Sequence, residues 1–131
     1  MSVGLLLITH KNIASNLLET ARQMLDTCPL ATRALEVPLD YPIEEVAAQA
    51  KTYITSLDTG NGVLILTDIY GGTPSNIGKQ LSEQYNCKLV AGINLPMLIR
   101  VLNYPQLNLE DMALKAVSGG HDGIVLCDCH M

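Results

Sequence analysis

Two polar segments of the sequence carry side chains that are suited to group transfer. His10 follows the apolar run 3–8, and histidine is the residue that most readily acts as a nucleophile or base near neutral pH. The segment 68–74, Asp-Ile-Tyr-Gly-Gly-Thr-Pro, combines a carboxylate, a hydroxyl and glycine amides ahead of a predicted helix. Backbone amides in that position bind phosphate-like anions. Together the two segments predict a phosphoryl-transfer site in which His10 is phosphorylated.

The chemistry of the side chains suggests a role for each residue of this site. Asp68 can accept a hydrogen bond from one ring nitrogen of His10, which leaves the other nitrogen free as the nucleophile. Gly71 and Gly72 offer amides that no side chain shields, and Thr73 offers a hydroxyl. Each feature also has an ordinary structural interpretation. A histidine after a strand is often a surface or core residue, and Gly-Gly-Thr-Pro is often only a tight turn with a threonine cap.

The sequence as a whole predicts an α/β fold, because short apolar runs alternate with longer stretches of helical periodicity. We expect a mostly parallel sheet with helices on both faces. The predicted strands are 3–9, 35–39, 62–67, 88–93 and a short last strand from Gly123 to Cys127. The predicted helices are 13–25 with Asn12 as its cap, one after Pro42, one from Pro74 to about Tyr85, a short one from Asn94 to Leu102, and one that Asn108 caps and that stops at Gly119 and Gly120.

The predicted sheet also indicates the location of the functional site. Ligands of open parallel sheets bind beyond the carboxyl ends of the strands. Three polar clusters follow predicted strands: Thr9 with His10, the segment 68–73, and Asn94 with Pro96. Thr9 is therefore a further candidate for contact with the phosphoryl group.

Length and composition exclude several other functions. The 131 residues are the size of one domain, which we expect to span 1–131. The formal charge is −5 and the eight Lys and Arg residues are scattered, so no basic stripe exists for nucleic acid. The apolar run 3–8 is too short to cross a bilayer, and no basic segment precedes it as in a secretory signal. We therefore expect a cytoplasmic protein without membrane insertion.

Two apparent motifs predict nothing further. The segment from Gly72 to Lys79 resembles a nucleotide-binding loop, but its glycine spacing is one residue too long and Gln80 replaces the magnesium-binding hydroxyl. The tail contains the potential metal ligands His121, Cys127, Asp128, Cys129 and His130. Their spacing is not that of a zinc site, and neighbouring ligands on an extended chain point to opposite sides. We expect no metal and no nucleotide cofactor.

Three segments together resemble a known family. They are Thr9-His10, the run Asp68-Ile69-Tyr70-Gly71-Gly72-Thr73-Pro74-Ser75-Asn76, and the run Gly92-Ile93-Asn94-Leu95-Pro96-Met97-Leu98. In this order and spacing they resemble the IIA component of the mannose-type phosphoenolpyruvate-dependent sugar phosphotransferase system. The resemblance extends over almost the whole chain.

The resemblance implies a role for each matching residue. His10 would accept a phosphoryl group from the small carrier HPr and donate it to a IIB domain, Asp68 would orient it, and Thr73 would lie beside the phosphoryl group. The family fold implies four parallel strands and a fifth that two subunits exchange, so the segment from Gly123 to Cys127 would make the chain a homodimer. Lys11 departs from the small residue that many relatives have after the histidine.

The resemblance leaves the final use of the phosphoryl group open. No IIB domain follows in this sequence, so we expect the acceptor to be a separate protein and sugar uptake to be the outcome. The alternative is a regulatory protein that reports its phosphorylation state without a role in transport, and it needs the same histidine. A phosphodonor for dihydroxyacetone kinase is a weaker alternative, since such domains are usually fused to further carrier domains.

Overall fold

The computed structural model describes residues 2–128. Strands and helices alternate along the chain, as the sequence predicts. The strands are β1 (Gly4–His10), β2 (Thr32–Val37), β3 (Val63–Thr67) and β4 (Cys87–Ala91). The helices are α1 (Ile13–Leu25), α2 (Ile43–Leu57), α3 (Thr73–Gln84), α4 (Leu95–Leu102) and α5 (Leu109–Asp122).

The four strands form one parallel sheet in the order β2-β1-β3-β4. Successive side chains of a strand point to opposite faces, so the apolar run of β1 fills two cores. Leu5 and Leu7 pack with α1, α4 and α5 on one face. Leu6 and Ile8 pack with α2 and α3 on the other face. The predicted parallel sheet with helices on both faces is confirmed.

The strand order places the carboxyl ends of β1 and β3 side by side. Ile8 of β1 is opposite Thr67 of β3 in the sheet register. The chain leaves β1 toward α1 on one face, and it leaves β3 toward α3 on the other face. Such a point, where neighbouring strands continue to opposite faces, opens a crevice at the sheet edge. His10 and Asp68 follow the two strands into this crevice.

Several boundaries and packing details differ from the sequence prediction. β2 begins at Thr32 rather than at residue 35. It is an edge strand with polar side chains at its start, so its sequence lacks the continuous apolar run by which a buried strand is recognised. Asn12 precedes α1 in a left-handed conformation, but its side chain makes no capping bond. Met24, near the end of α1, and Ile43, at the start of α2, are exposed although both are apolar.

The end of α5 is also a correction. The predicted stop at Gly119 and Gly120 is wrong, since the helix continues to Asp122. The glycines serve close packing against α4 instead. A β-carbon at Gly119 would lie 2.5 Å from Cβ of Arg100, and one at Gly120 would lie 2.9 Å from the terminal methyl group of Met97. Glycine here allows two helices to approach, which sequence alone does not distinguish from a helix terminus.

The segment after α5 forms no strand within the described part of this single chain. Residues 124–128 have no regular structure, and Leu126 is 96% exposed. The predicted strand from Gly123 to Cys127 is therefore not formed within one chain, and its exchange between two chains stays a prediction. None of the helices in residues 2–128 is long and apolar enough to cross a membrane.

Candidate functional site

The ring of His10 is held by the carboxylate of Asp68. Nδ1 of His10 lies 2.8 Å from Oδ2 of Asp68, and the backbone N–H of His10 donates to the same oxygen at 2.9 Å. The second oxygen, Oδ1, accepts the backbone N–H of Ile69 at 3.0 Å. The ring is 40% exposed and the carboxylate only 10%, so the acid lies beneath a ring that partners can reach. The predicted pairing of the two side chains is present.

The charge of Asp68 determines which ring nitrogen is reactive. Burial alone would raise the pKa of Asp68, but hydrogen bonds from the N–H and the ring of His10, together with the N–H of Ile69, lower it below its ordinary value. An ionised carboxylate only accepts hydrogen bonds, so Nδ1 of His10 must carry the proton. The neutral ring then has its lone pair on Nε2, which is the nitrogen suited to attack phosphorus.

The turn between β3 and α3 brings backbone close to this nitrogen. Gly71 has a φ of +94°, a conformation that side chains disfavour. At Gly72, a β-carbon would lie 3.3 Å from Cε1 and 3.8 Å from Nε2 of His10. Glycine at both positions therefore lets the start of α3 approach the reactive edge of the ring.

The N-terminus of α3 can accept an anion. Pro74 occupies the first turn, as predicted, and no side chain of the described residues caps the helix. The first N–H groups of a helix have no acceptor within it, and their dipoles favour negative charge. The uncapped amides therefore lie where a phosphoryl group on Nε2 of His10 would be stabilised.

Thr9 lies elsewhere, and its expected contact with a phosphoryl group is not supported. Its hydroxyl is fully buried, donates to the carbonyl of His10 at 2.8 Å and accepts the N–H of Ala14 at 3.0 Å. Both bonds fasten the chain beneath His10 to the first turn of α1. Strand alternation turns this side chain inward, so its position at a strand end gave the wrong role.

Thr73 and an apolar surface border the ring. His10 and Thr73 line a cleft of about 140 Å³ together with residues of the loop between β2 and α2. Leu39, Tyr41 and Ile43 line this opening although they are large, apolar and exposed. Ile69 and Tyr70 are likewise exposed in the loop that follows Asp68, and we call these five residues the apolar collar. Leu39 lies in a loop although the sequence predicts a strand to residue 39, since β2 ends at Val37. Exposed apolar residues in a loop, here Leu39 and Tyr41, are a sign of a contact surface.

Other polar features do not join this site. Asn94 caps α4 by accepting the N–H of Met97 at 2.8 Å, and it donates to the carbonyl of Gly120 at 3.1 Å. A larger cavity of about 520 Å³ lies between α1 and the edge strand β2 and does not include His10. Within residues 2–128, no three potential metal-ligating side chains converge. Cys129 and His130 of the tail lie outside the described residues.

Comparison with known proteins decides the family. A family model described as the PTS system fructose IIA component, the mannose-type EIIA family, matches residues 4–128. The chain belongs to this family. IIA components of this type are phosphotransferase proteins of the sugar phosphotransferase system, so the resemblance stated from the sequence is confirmed.

The relatives of this mannose-type IIA chain include one that matches nearly the whole chain and one that matches about half of it. The mannose-specific EIIAB component of Escherichia coli K12 is 28% identical over 127 residues, which are 95% of this chain and 39% of that protein. The fructose-specific EIIA component of Bacillus subtilis is 38% identical over 73 residues, 53% of this chain and 49% of that protein. The chain thus spans about two fifths of the length of the mannose-specific relatives.

Solved structures confirm the fold. The mannose/sorbose specific IIA subunit from Enterococcus faecalis has a TM-score of 0.88 at 23% identity, covering 100% of this chain and 98% of that one. The PTS IIA protein associated with the fucose utilization operon from Streptococcus pneumoniae has a TM-score of 0.79 at 26% identity, covering 96% of both chains. The mannose-type IIA fold therefore extends over the described residues 2–128.

The bond between His10 and Asp68 should be visible in the pH dependence of stability. Folding lowers the pKa of Asp68 below its ordinary 3.8, so the ionised acid stabilises the fold above that pH, and the stabilisation is lost as the pH falls through the lower pKa of the folded chain. We expect Asp68→Asn to unfold at lower urea concentration than the wild type near neutral pH, with the difference shrinking below pH 3.8.

Urea unfolding at a series of pH values measures this difference. Glu83→Gln is the matched control, since it removes an exposed carboxylate of α3. A difference for Asp68→Asn that is the same at every pH would contradict the assignment of Asp68 as a charged partner.

Proposed function

We propose that His10 accepts a phosphoryl group from the phosphohistidine of HPr and donates it to a separate IIB protein, so that sugar is phosphorylated as it is taken up. The observation that carries this proposal is the orientation of the ring. Asp68 holds Nδ1 at 2.8 Å, and the opposite edge of the ring faces Gly72 at the uncapped start of α3. Family membership supports a phosphoryl carrier of this kind.

The transfer itself is an exchange of one N–P bond for another. The lone pair on Nε2 of His10 attacks the phosphorus held on the donor imidazole, and the donor's N–P bond breaks with its electron pair returning to that imidazole. Amides at Gly72 and in the first turn of α3 stabilise the phosphoryl oxygens, with the hydroxyl of Thr73 nearby. The IIB step repeats the exchange with this chain as donor.

Asp68 contributes by lying on the side of the ring away from phosphorus. Two negative groups about 4 Å apart repel by roughly 4 kcal/mol at an effective dielectric constant of about 20, so a carboxylate next to the phosphoryl group would oppose transfer. On Nδ1 it instead fixes the tautomer and stabilises the positive charge that the ring acquires when Nε2 forms its new bond.

The apolar collar fits a donor and an acceptor that are proteins. Leu39, which lines the cleft with His10, is 95% exposed, and Tyr70, two residues after Asp68, is 72% exposed. Exposed apolar residues grouped in this way mark protein contact surfaces. A protein that brings its own phosphohistidine to His10 must cover this surface, which gives the collar a function in docking.

The first test is phosphorylation of His10. We expect the wild type to be labelled by phosphoenolpyruvate, enzyme I and HPr, and the label to be acid-labile, as an N–P bond is. His10→Ala should abolish labelling, because no other group takes the place of Nε2. Measurement is by radiolabel or intact mass, with His121→Ala as the control for loss of a histidine on α5.

The second half of the assay separates transport from regulation. Addition of candidate IIB proteins should discharge the label from the wild type. Label on His10→Ala equal to that on the wild type would overturn the proposed site, and label that every IIB protein leaves in place would overturn the proposed acceptor.

Gly72 should be required for space rather than for conformation. Its φ of −85° suits alanine, but the added methyl carbon would lie 3.3 Å from Cε1 of His10. We expect Gly72→Ala to leave the fold stable and to slow labelling by about tenfold, as for a misplaced reacting group.

Gly71→Ala is the matched control. A β-carbon at this position would have no close neighbour, but the φ of +94° disfavours alanine, so the substitution should lower the urea midpoint more than the labelling rate. Equal labelling rates for wild type and Gly72→Ala would contradict a site at α3.

We also propose that two chains form a homodimer through exchange of the segment after α5. Residues Ile124, Val125 and Leu126 are 77%, 72% and 96% exposed in the single chain. β4 is an edge strand with one side unpaired. Three consecutive exposed apolar residues and an open strand edge are each unfavourable in water, and pairing between two chains would remove both.

The exchange predicts a dimer that depends on the apolar segment. We expect light scattering to give twice the chain mass for the wild type at micromolar concentration. Leu126→Asp should shift the equilibrium toward the monomer, because a carboxylate would be buried in the partner. Leu114→Asp alters an exposed apolar side chain of α5 and is the control. A monomeric wild type would contradict the exchange.

A further inference from the structure

Glu36 caps α1 from a neighbouring strand. It lies on β2 opposite Thr9 in the sheet register. Its Oε2 accepts the backbone N–H of Ser15 at 2.9 Å and the hydroxyl of Ser15 at 2.7 Å. An N-terminal amide of α1 is therefore satisfied by a residue far away in sequence, in place of the expected cap at Asn12.

The capped turn carries the chain away from His10. Only Lys11 and Asn12 separate the histidine from α1, and Asn12 has a φ of 71°. That left-handed conformation is uncommon for residues other than glycine and needs support from its surroundings. Thr9 fastens the turn from below by bonding both the carbonyl of His10 and the N–H of Ala14. Glu36 fastens it from the side of β2.

The charge of Glu36 has a second effect. Burial alone would raise its pKa, but the hydrogen bonds from Ser15 and Asn12 and the charge of Lys11 lower it, so the carboxylate is ionised near neutral pH. A negative group at a helix N-terminus neutralises its positive dipole end. Of the helices that begin near His10, α1 is capped by Glu36, whereas α3 has no side-chain cap within the described residues. Glu36 thus closes the N-terminus of α1, while that of α3 stays open to an anion.

We propose that Glu36 is a positioning residue for the phosphorylation of His10, which it promotes by fixing the turn after the histidine and by closing the N-terminus of α1 to the phosphoryl group. It acts through the main chain of residues 10–15. The inference rests on the proposed phosphorylation of His10 and adds a residue to that reaction.

The test uses two phosphoryl donors of different size. Phosphoramidate reacts with histidine without protein docking, and phospho-HPr requires docking. If Glu36 positions His10, Glu36→Ala should slow labelling by both donors by a similar factor, about tenfold. Glu36→Gln should recover part of the rate, because its amide oxygen still accepts the bonds from Ser15. Glu19→Gln removes a carboxylate from the exposed face of α1 and should leave both rates unchanged.

A spectroscopic readout separates positioning from a loss of stability. In the wild type, ¹⁵N NMR of the His10 ring should report the single tautomer protonated on Nδ1. In folded Glu36→Ala, the ring signals should shift toward an exchanging mixture. If Glu36→Ala does not fold, Glu36→Gln and Ser15→Ala remove part of the same contact and should give smaller changes in the same direction.

The outcomes are distinguishable. Unchanged rates with both donors, or slowing with phospho-HPr alone, would overturn the positioning role. A wild type that phospho-HPr does not label would overturn the proposed function. The phosphoramidate rates and the ring signals would still decide the role of Glu36.

Discussion

A single carboxylate oxygen organises this site. Oδ2 of Asp68 accepts both the main chain N–H and the ring nitrogen of His10, so the position of the residue and the direction of its side chain are set by the same atom. This arrangement needs β1 and β3 to be neighbours in a fixed parallel register, because one residue comes from each strand. The two apolar cores that hold the register therefore also determine the geometry of the site.

Two of the helices that begin at the crevice, α1 and α3, have differently capped N-termini. The start of α1 is closed by Thr9 and Glu36, whereas the start of α3 follows two glycines and has no side-chain cap within the described residues. Both N-termini carry the positive end of a helix dipole. Because the α1 end is closed and the α3 end is open, a bound anion is attracted toward the edge of the His10 ring that faces Gly72.

The sequence predicted the order of strands and helices and the pairing of His10 with Asp68, because buried parallel strands and glycine turns have strong local signals. It did not predict the long-range contacts that support the turn after His10. The cap on α1 comes from Glu36, which no local pattern assigns to Ser15. Thr9 was misjudged because a position at the end of a strand does not say which face the side chain occupies. Gly119 was read as a helix end, since glycine has the same local meaning at a stop and at a close helix contact.

The two hydrogen bonds that hold His10 have a consequence for its motion. A side chain that is held through both its ring and its main chain has little rotational freedom, so the imidazole keeps a fixed position. If the chain passes a phosphoryl group from one protein to another, as proposed, the donor and the acceptor must each bring their own reacting group to His10, and the donor must leave before the acceptor binds. The turnover of such a carrier would be limited by how fast its partner proteins bind and dissociate at one small surface. Fast dissociation would then raise the rate of transfer more than tight binding would.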